Sequence, residues 1–184
     1  MHNKEKNMPR IPYQPSDLTE PKAIVDAVRA RRGGTLLNLD RMLLHSPAFA
    51  RGWNAFLGDV RTNLELRARL RELAICQVAL LNGAHYEFHH HAPEFLKAGG
   101  TQAQLDALHG AASDSAAFDS GERAILALVR AITVDVNVSD AVFDAARAAL
   151  KSDQLTVELV GVVATYNMVS RMLVALGIRP EEET

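Results

Sequence analysis

The stretch from Arg71 to His91 constrains the chain more than any other. Apolar and small residues fill positions 70, 73 to 76 and 78 to 81, Asn82-Gly83 interrupts them, and helical spacing resumes from His85 towards Ala98. Asn and Gly tolerate the left-handed backbone that ends a helix, so the spacing predicts two antiparallel helices joined by a tight turn. Glu72 lies eleven residues before Gly83 and His91 eight after it. Antiparallel packing then brings them nearly level, offset by about one helical turn of roughly 5 Å. Glu87 and His91 are four apart and share a helix face. Two carboxylates and an imidazole therefore converge with no assumption beyond the hairpin.

On an ordinary surface helix Glu72 would pair with Arg69, three positions away, in a weak solvated ion pair. The apolar character of its helix argues instead for partial burial, and a partly buried carboxylate holds its proton more tightly, as an acid/base residue near neutral pH must. Cys76, one turn after Glu72, reads as a small core residue. Tyr86 is placed either to pack or to donate a hydrogen bond to a substrate oxygen. Trp53 falls in an aromatic set that is core or pocket wall. His45, before Pro47, and Arg171, on the last helix, are candidates for holding a substrate carboxylate. His85 and His89 are spaced as two metal ligands on one face, but a two-residue step turns about 200° around a helix, so they point away from Glu87 and His91. No metal site is expected.

Composition narrows the function classes. Lys and Arg number 20 against 22 Asp and Glu, a net charge of −2 in 184 residues, which leaves no electrostatic case for nucleic acid or an anionic membrane as partner. A small molecule or another copy of the chain fits better. With Cys76 the only cysteine, an internal disulfide and a two-thiol redox centre are excluded. No apolar run is expected to reach the ~18 uninterrupted residues of a membrane span, and the polar start Met1 to Lys6 carries no export segment. The expectation is a cytoplasmic protein. The first seven residues, before a second methionine at Met8, read as disordered or as a start-site artefact.

The remaining punctuation predicts helices throughout. Residues 1–20, with Pro9, Pro12 and Pro15, form an extended arm, and residues 21–184 a single domain. Pro21 opens a helix that Gly33-Gly34 ends. A short helix runs from Leu36 to Leu44. Ser46 caps the next, with Pro47 at its first position and Phe49, Trp53, Phe56, Leu57 and Val60 as core. Thr101 caps a short helix, Ala111 to Phe118 is a polar linker, Asp119 with Glu122 opens a helix through Ile132, and Ser139 opens another. The last helix, 153 to 176, is apolar on nearly every face until Gly177, which calls for burial all round, at the centre of the domain or in a subunit interface. No segment alternates with period two, so the fold class is all-α.

The hairpin resembles the signature of the carboxymuconolactone decarboxylase and alkylhydroperoxidase D-like (AhpD-like) family. Peroxidase members carry Glu, eleven residues, Cys, two residues, Cys, three residues, His; here that spacing falls on Glu72, Ala84, Glu87 and His91. Both cysteines are missing, and Tyr86-Glu87-Phe88 followed by His91 is similar to the branch without redox thiols. Arg69 to Leu73 before the hairpin and Lys97 to Thr101 after it sit where relatives place similar runs. The resemblance implies an AhpD-like fold of about eight helices around the hairpin, assembled as a trimer or hexamer. It implies a lyase using cofactor-free acid/base chemistry on a small carboxylate, lactone or keto acid. His91 would shuttle the proton, Glu72 would hold or tune it, and Glu87 would orient substrate or act as the second acid/base group. The alternatives are a peroxiredoxin-related antioxidant protein, which needs a thiol, and a non-catalytic binding module that kept the fold.

Overall fold

The computed structural model describes residues 9–110 and 115–181. Residues 1–8 of the expected arm and 111–114 of the expected linker lie outside the described residues. Among those described there are nine α-helices and no strand. They are α1 (Lys22–Arg32), α2 (Asn38–Leu43), α3 (Pro47–Thr62), α4 (Ala68–Leu81), α5 (His85–Lys97), α6 (Gln102–Leu108), α7 (Ser120–Arg130), α8 (Asp140–Leu150) and α9 (Asp153–Leu176). The fold is all-α. The chain gathers into two compact units, residues 1–64 with 173–184, and residues 65–172.

In the first unit α1 and α2 pack on α3. Gly33, at φ 74°, ends α1 as its position predicts. Asp40 both caps α2, accepting from Leu37 N at 3.1 Å, and pairs with Arg32 at 2.9 Å. Ser46 precedes Pro47 as expected, yet its hydroxyl makes no capping bond; its carbonyl starts the helix by accepting from Ala50 N at 2.9 Å. The aromatic set divides. Ala50, Trp53, Leu57 and Val60 share the buried face of α3, whereas Phe49 and Phe56, seven apart at the rim of that face, are 45% and 51% exposed. They are not core, because the part of the α3 stripe that is covered stops short of its rim. The described part of the arm lies along its own unit. Arg41 Nε donates to Gln14 O at 2.6 Å, Arg29 donates to Ser16 O and Leu18 O, and Arg10 N donates to Leu176 O.

The second unit is built on α4, whose residues 72 to 79 are all buried. It packs against α5, α6 and α7. Leu73, Cys76, Phe95, Leu105, Leu108, Phe118 and Leu126 form its apolar core. Arg69 draws the loops around that core together, donating to Gly99 O at 3.2 Å and pairing with Glu122 at 2.5 Å. Arg69 therefore serves Glu122, and Glu72 is left for another partner. The loop after α5 passes so close to the core that a Cβ on Gly100 would lie 2.3 to 2.5 Å from the ring of Phe95, which is fully buried. Gly100→Ala is expected to cost about 1–3 kcal/mol through overpacking, read as a lower denaturant midpoint at unchanged slope.

Thr101, Asp119 and Ser139 cap their helices through their side chains. The helix expected to run through Ile132 instead leaves α geometry after Arg130 and continues as a π-turn, Ala131–Asp135. The wider turn brings Thr133 inward, where its Oγ1 accepts from Asn167 Nδ2 at 3.0 Å. α9 is long and apolar enough, by length and composition, to cross a membrane, but half of its most apolar window is buried within the protein. The expected burial on every face is incomplete, since Val157 and Met168 are 71% and 38% exposed. Polar groups on its inner face, Asn167 and Ser170 among them, are hydrogen-bonded.

Candidate functional site

The hairpin closes as its sequence predicts. Gly83, at φ 65°, donates to Leu80 O at 3.1 Å and Ala84 N donates to Ala79 O at 2.8 Å, the paired bonds that terminate a helix through a left-handed glycine. This turn folds α5 back along α4 and brings Glu72 to His91. Glu72 Oε2 lies 2.6 Å from His91 Nδ1, and the two side chains are 3% and 9% exposed. A carboxylate on Nδ1 fixes the orientation and tautomer of the imidazole. The second Glu72 oxygen lies 3.5 Å from Arg71 Nε.

Glu87, one turn before His91 on α5, is equally buried. Its partner is Ser170 on α9, whose Oγ is 3.0 Å from both carboxyl oxygens. No ion pair to Glu87 occurs among the described residues. Burial pushes its carboxyl well above the usual carboxylate range, and the Ser170 hydrogen bond offsets this only in part. A carboxyl that burial makes hard to ionise thus stands one helical turn from a carboxylate-bound imidazole. Groups whose surroundings drive their proton affinities apart are the working parts of acid/base sites.

Tyr166 presents its ring edge-on to His91, with centroids 5.0 Å apart. Glu87 and His91 are four apart on α5; Ser170 and Tyr166 are four apart on α9. Two antiparallel ladders meet, Glu87 on Ser170 and His91 on Tyr166. Sequence reasoning passed over both α9 residues. Their signal was the presence of polar side chains inside an otherwise apolar run, where a hydroxyl without a partner is costly.

The other candidates take different places. Tyr86 is buried, with its ring 4.4 Å from that of His90. Arg171 is held by Asn167, donating to its carbonyl at 3.0 Å and its Oδ1 at 2.6 Å; Asn167 also accepts from Asn82 in the hairpin turn. Trp53 and His45 belong to the first unit. Trp53 packs against Phe49, and His45 clamps the arm, its Nε2 2.7 Å from Pro12 O and its Nδ1 3.1 Å from the Gln14 amide. His85 and His89 are exposed, on the opposite side of α5 from Glu87 and His91. Among the described residues no three His, Cys, Asp or Glu side chains are grouped to hold a metal. Cys76 is fully buried, and burial, then the nearby Glu72 carboxylate, push its thiol up. A thiol so placed is inert, because the thiolate is the reactive form.

Residues 47–131, from α3 to the start of the π-turn, match the model of the carboxymuconolactone decarboxylase family. No curated protein matches the chain. Among solved structures the fold is similar to an uncharacterized peroxidase-related protein with an alkylhydroperoxidase AhpD core from Ralstonia eutropha JMP134. That match has TM-score 0.79 at 20% identity and covers 95% of this chain and 93% of that one. A peroxidase-related protein from Silicibacter sp. TM1040 matches with TM-score 0.75 at 17% identity, covering 96% and 91%. The debrominase Bmp8, in complex with 2,3,4-tribromopyrrole, matches with TM-score 0.75 at 16% identity, covering 93% and 91%. These likenesses establish the helical fold.

Proposed function

Starting from a chain whose residues 47–131 match the model of the carboxymuconolactone decarboxylase family, we propose that it is an enzyme of cofactor-free acid/base chemistry, a lyase acting on a small carboxylate, lactone or keto acid. The observation that carries this reading is the buried Glu72–His91 contact at 2.6 Å beside the separately held, buried carboxyl of Glu87. In a decarboxylation the electron pair left on carbon as carbon dioxide departs must take up a proton. His91 supplies it from Nε2 and is reprotonated from water. Glu72 holds the ring and stabilises its charged form, and Glu87 donates a hydrogen bond to a substrate oxygen, as only a carboxylic acid kept neutral can.

Hydroperoxide reduction is the alternative, and it would have to run through Cys76, whose burial and raised proton affinity oppose it. The enclosure of all three site residues favours, as a further reading, a binding module without turnover. The test is a paired screen of wild type beside His91→Gln, with hydroperoxide and dithiol in one arm and small lactones and β-keto or unsaturated carboxylates in the other. Turnover of the second set that needs His91 supports the acid/base enzyme. Thiol-dependent turnover lost on Cys76→Ser overturns it.

The working form we propose is a trimer or hexamer of this chain, located in the cytoplasm. Exposed Val157 and Met168 on α9 support self-association, since an apolar stripe on a long helix is better covered than wetted. Light scattering on the purified protein is expected to give a multiple of the 20.1 kDa chain mass; a monomer would refute the assembly.

A further inference from the structure

The symmetry of the Glu87–Ser170 contact carries a role for Ser170. A serine hydroxyl has one hydrogen and two lone pairs, so it cannot give a full hydrogen bond to both oxygens of a carboxylate. Yet Ser170 Oγ is 3.0 Å from each of them. A protonated carboxyl resolves the geometry. Its O–H donates to Oγ while the Oγ–H donates to its carbonyl oxygen, closing a small ring of two hydrogen bonds. The surroundings agree, because Ser170 is fully buried and Glu87 is 2% exposed. A charged carboxylate held there by one neutral hydroxyl would be severely under-solvated. Titratable groups beside Glu87 include the Cys76 thiol on α4 and Tyr86 and His91 on its own helix, and no ion pair to Glu87 occurs among the described residues.

We infer that Ser170 is a proton-relay residue for Glu87, positioned by the antiparallel α5–α9 ladder so that the buried acid can present its proton from either carboxyl oxygen. In the relay step the proton on one carboxyl oxygen passes to Oγ while the hydroxyl's own proton passes to the other. At Oγ one O–H bond forms as another breaks, one carboxyl oxygen loses its O–H as the other gains one, and no net charge moves. This rests on Glu87 being the neutral acid of the proposed function. It adds that the acid is not locked to one oxygen, so that the O–H that turns from Ser170 to a substrate oxygen can be carried by either. Ser170 itself does not touch substrate; it acts through Glu87.

Infrared difference spectroscopy on the intact protein tests this without any substrate. The carbonyl stretch of a protonated Glu87 is assigned by its loss in Glu87→Gln. In wild type at neutral pH the band is expected at the low-frequency position of a doubly hydrogen-bonded acid, shifting further in heavy water. In Ser170→Ala it is expected to move to higher frequency, since the carbonyl oxygen loses its donor. Ser170→Thr, which keeps the hydroxyl, returns it to the wild-type position. Should Ser170→Ala not fold, Ser170→Cys, with its weaker S–H donor, must shift the band in the same direction. A band present in wild type but unmoved by the loss of the hydroxyl overturns the relay alone. Absence of any protonated-carboxyl band at neutral pH overturns the neutral acid as well, and with it Glu87's part in the proposed function.

Discussion

Turnover of the substrate that the screen identifies is expected to fall by about 10²–10⁴-fold in His91→Gln, the range that a positioned acid/base group contributes. The substitution isolates proton transfer from architecture. Glutamine is close to histidine in reach, and its amide can keep a hydrogen bond to Glu72 Oε2, which lies 2.6 Å from Nδ1, so the buried carboxylate is not left without a donor. What the amide cannot do is take up and return a proton. Leaving Glu72 unpaired would instead add a desolvation penalty of several kcal/mol and confuse lost chemistry with lost folding. Circular dichroism and the melting temperature should therefore stay near wild type while kcat collapses. A variant that turns over as wild type does would remove His91 from the mechanism.

Glu87→Gln is expected to make the protein more stable, increasingly so as pH rises. The sign follows from proton counting. Burial raises the carboxyl above its ordinary value of 4.5. Below about that pH both folded and unfolded chains hold the proton, and the group adds no pH dependence. Above it the unfolded chain ionises while the native one keeps its proton, so the native state binds more protons and stability falls. The slope reaches about 1.4 kcal/mol for each pH unit and ends once pH passes the folded value. Glutamine cannot ionise, and its amide offers Ser170 both a donor and an acceptor. Melting temperatures of the two proteins should coincide near pH 4 and separate above it, with wild type the lower. A difference that is flat in pH, or that favours wild type at neutral pH, would mean that Glu87 is ionised in the native state. A wild type that keeps this penalty is holding a destabilising group, as functional sites commonly do.

The legible part of the site was the part carried by local spacing. Asn82-Gly83 could end a helix only by a left-handed turn, and counting outward from Gly83 placed Glu72 against His91 because helix rise is a constant of the backbone. The four-residue step from Glu87 to His91 put both on the inner face and sent His85 and His89 outward by the same geometry. What misled was burial inferred from residue type. Phe49 and Phe56 are aromatic and at helical spacing, yet they lie at the rim of the α3 stripe, and a helix cannot announce in sequence how much of its apolar face will be covered. Arg69 stood three positions from Glu72 and was the natural partner for it; the fold instead draws Arg69 to Glu122, more than fifty residues away.

By itself, then, the sequence determined an all-α chain and a hairpin that brings Glu72 and His91 together, since turn chemistry and helical periodicity act between near neighbours. The tertiary structure alone decided the state of Glu87. Its proton affinity is raised by the exclusion of water and only partly offset by a single hydroxyl from Ser170, 83 residues further on. Desolvation is a property of everything packed around a group, and no spacing along the chain encodes it.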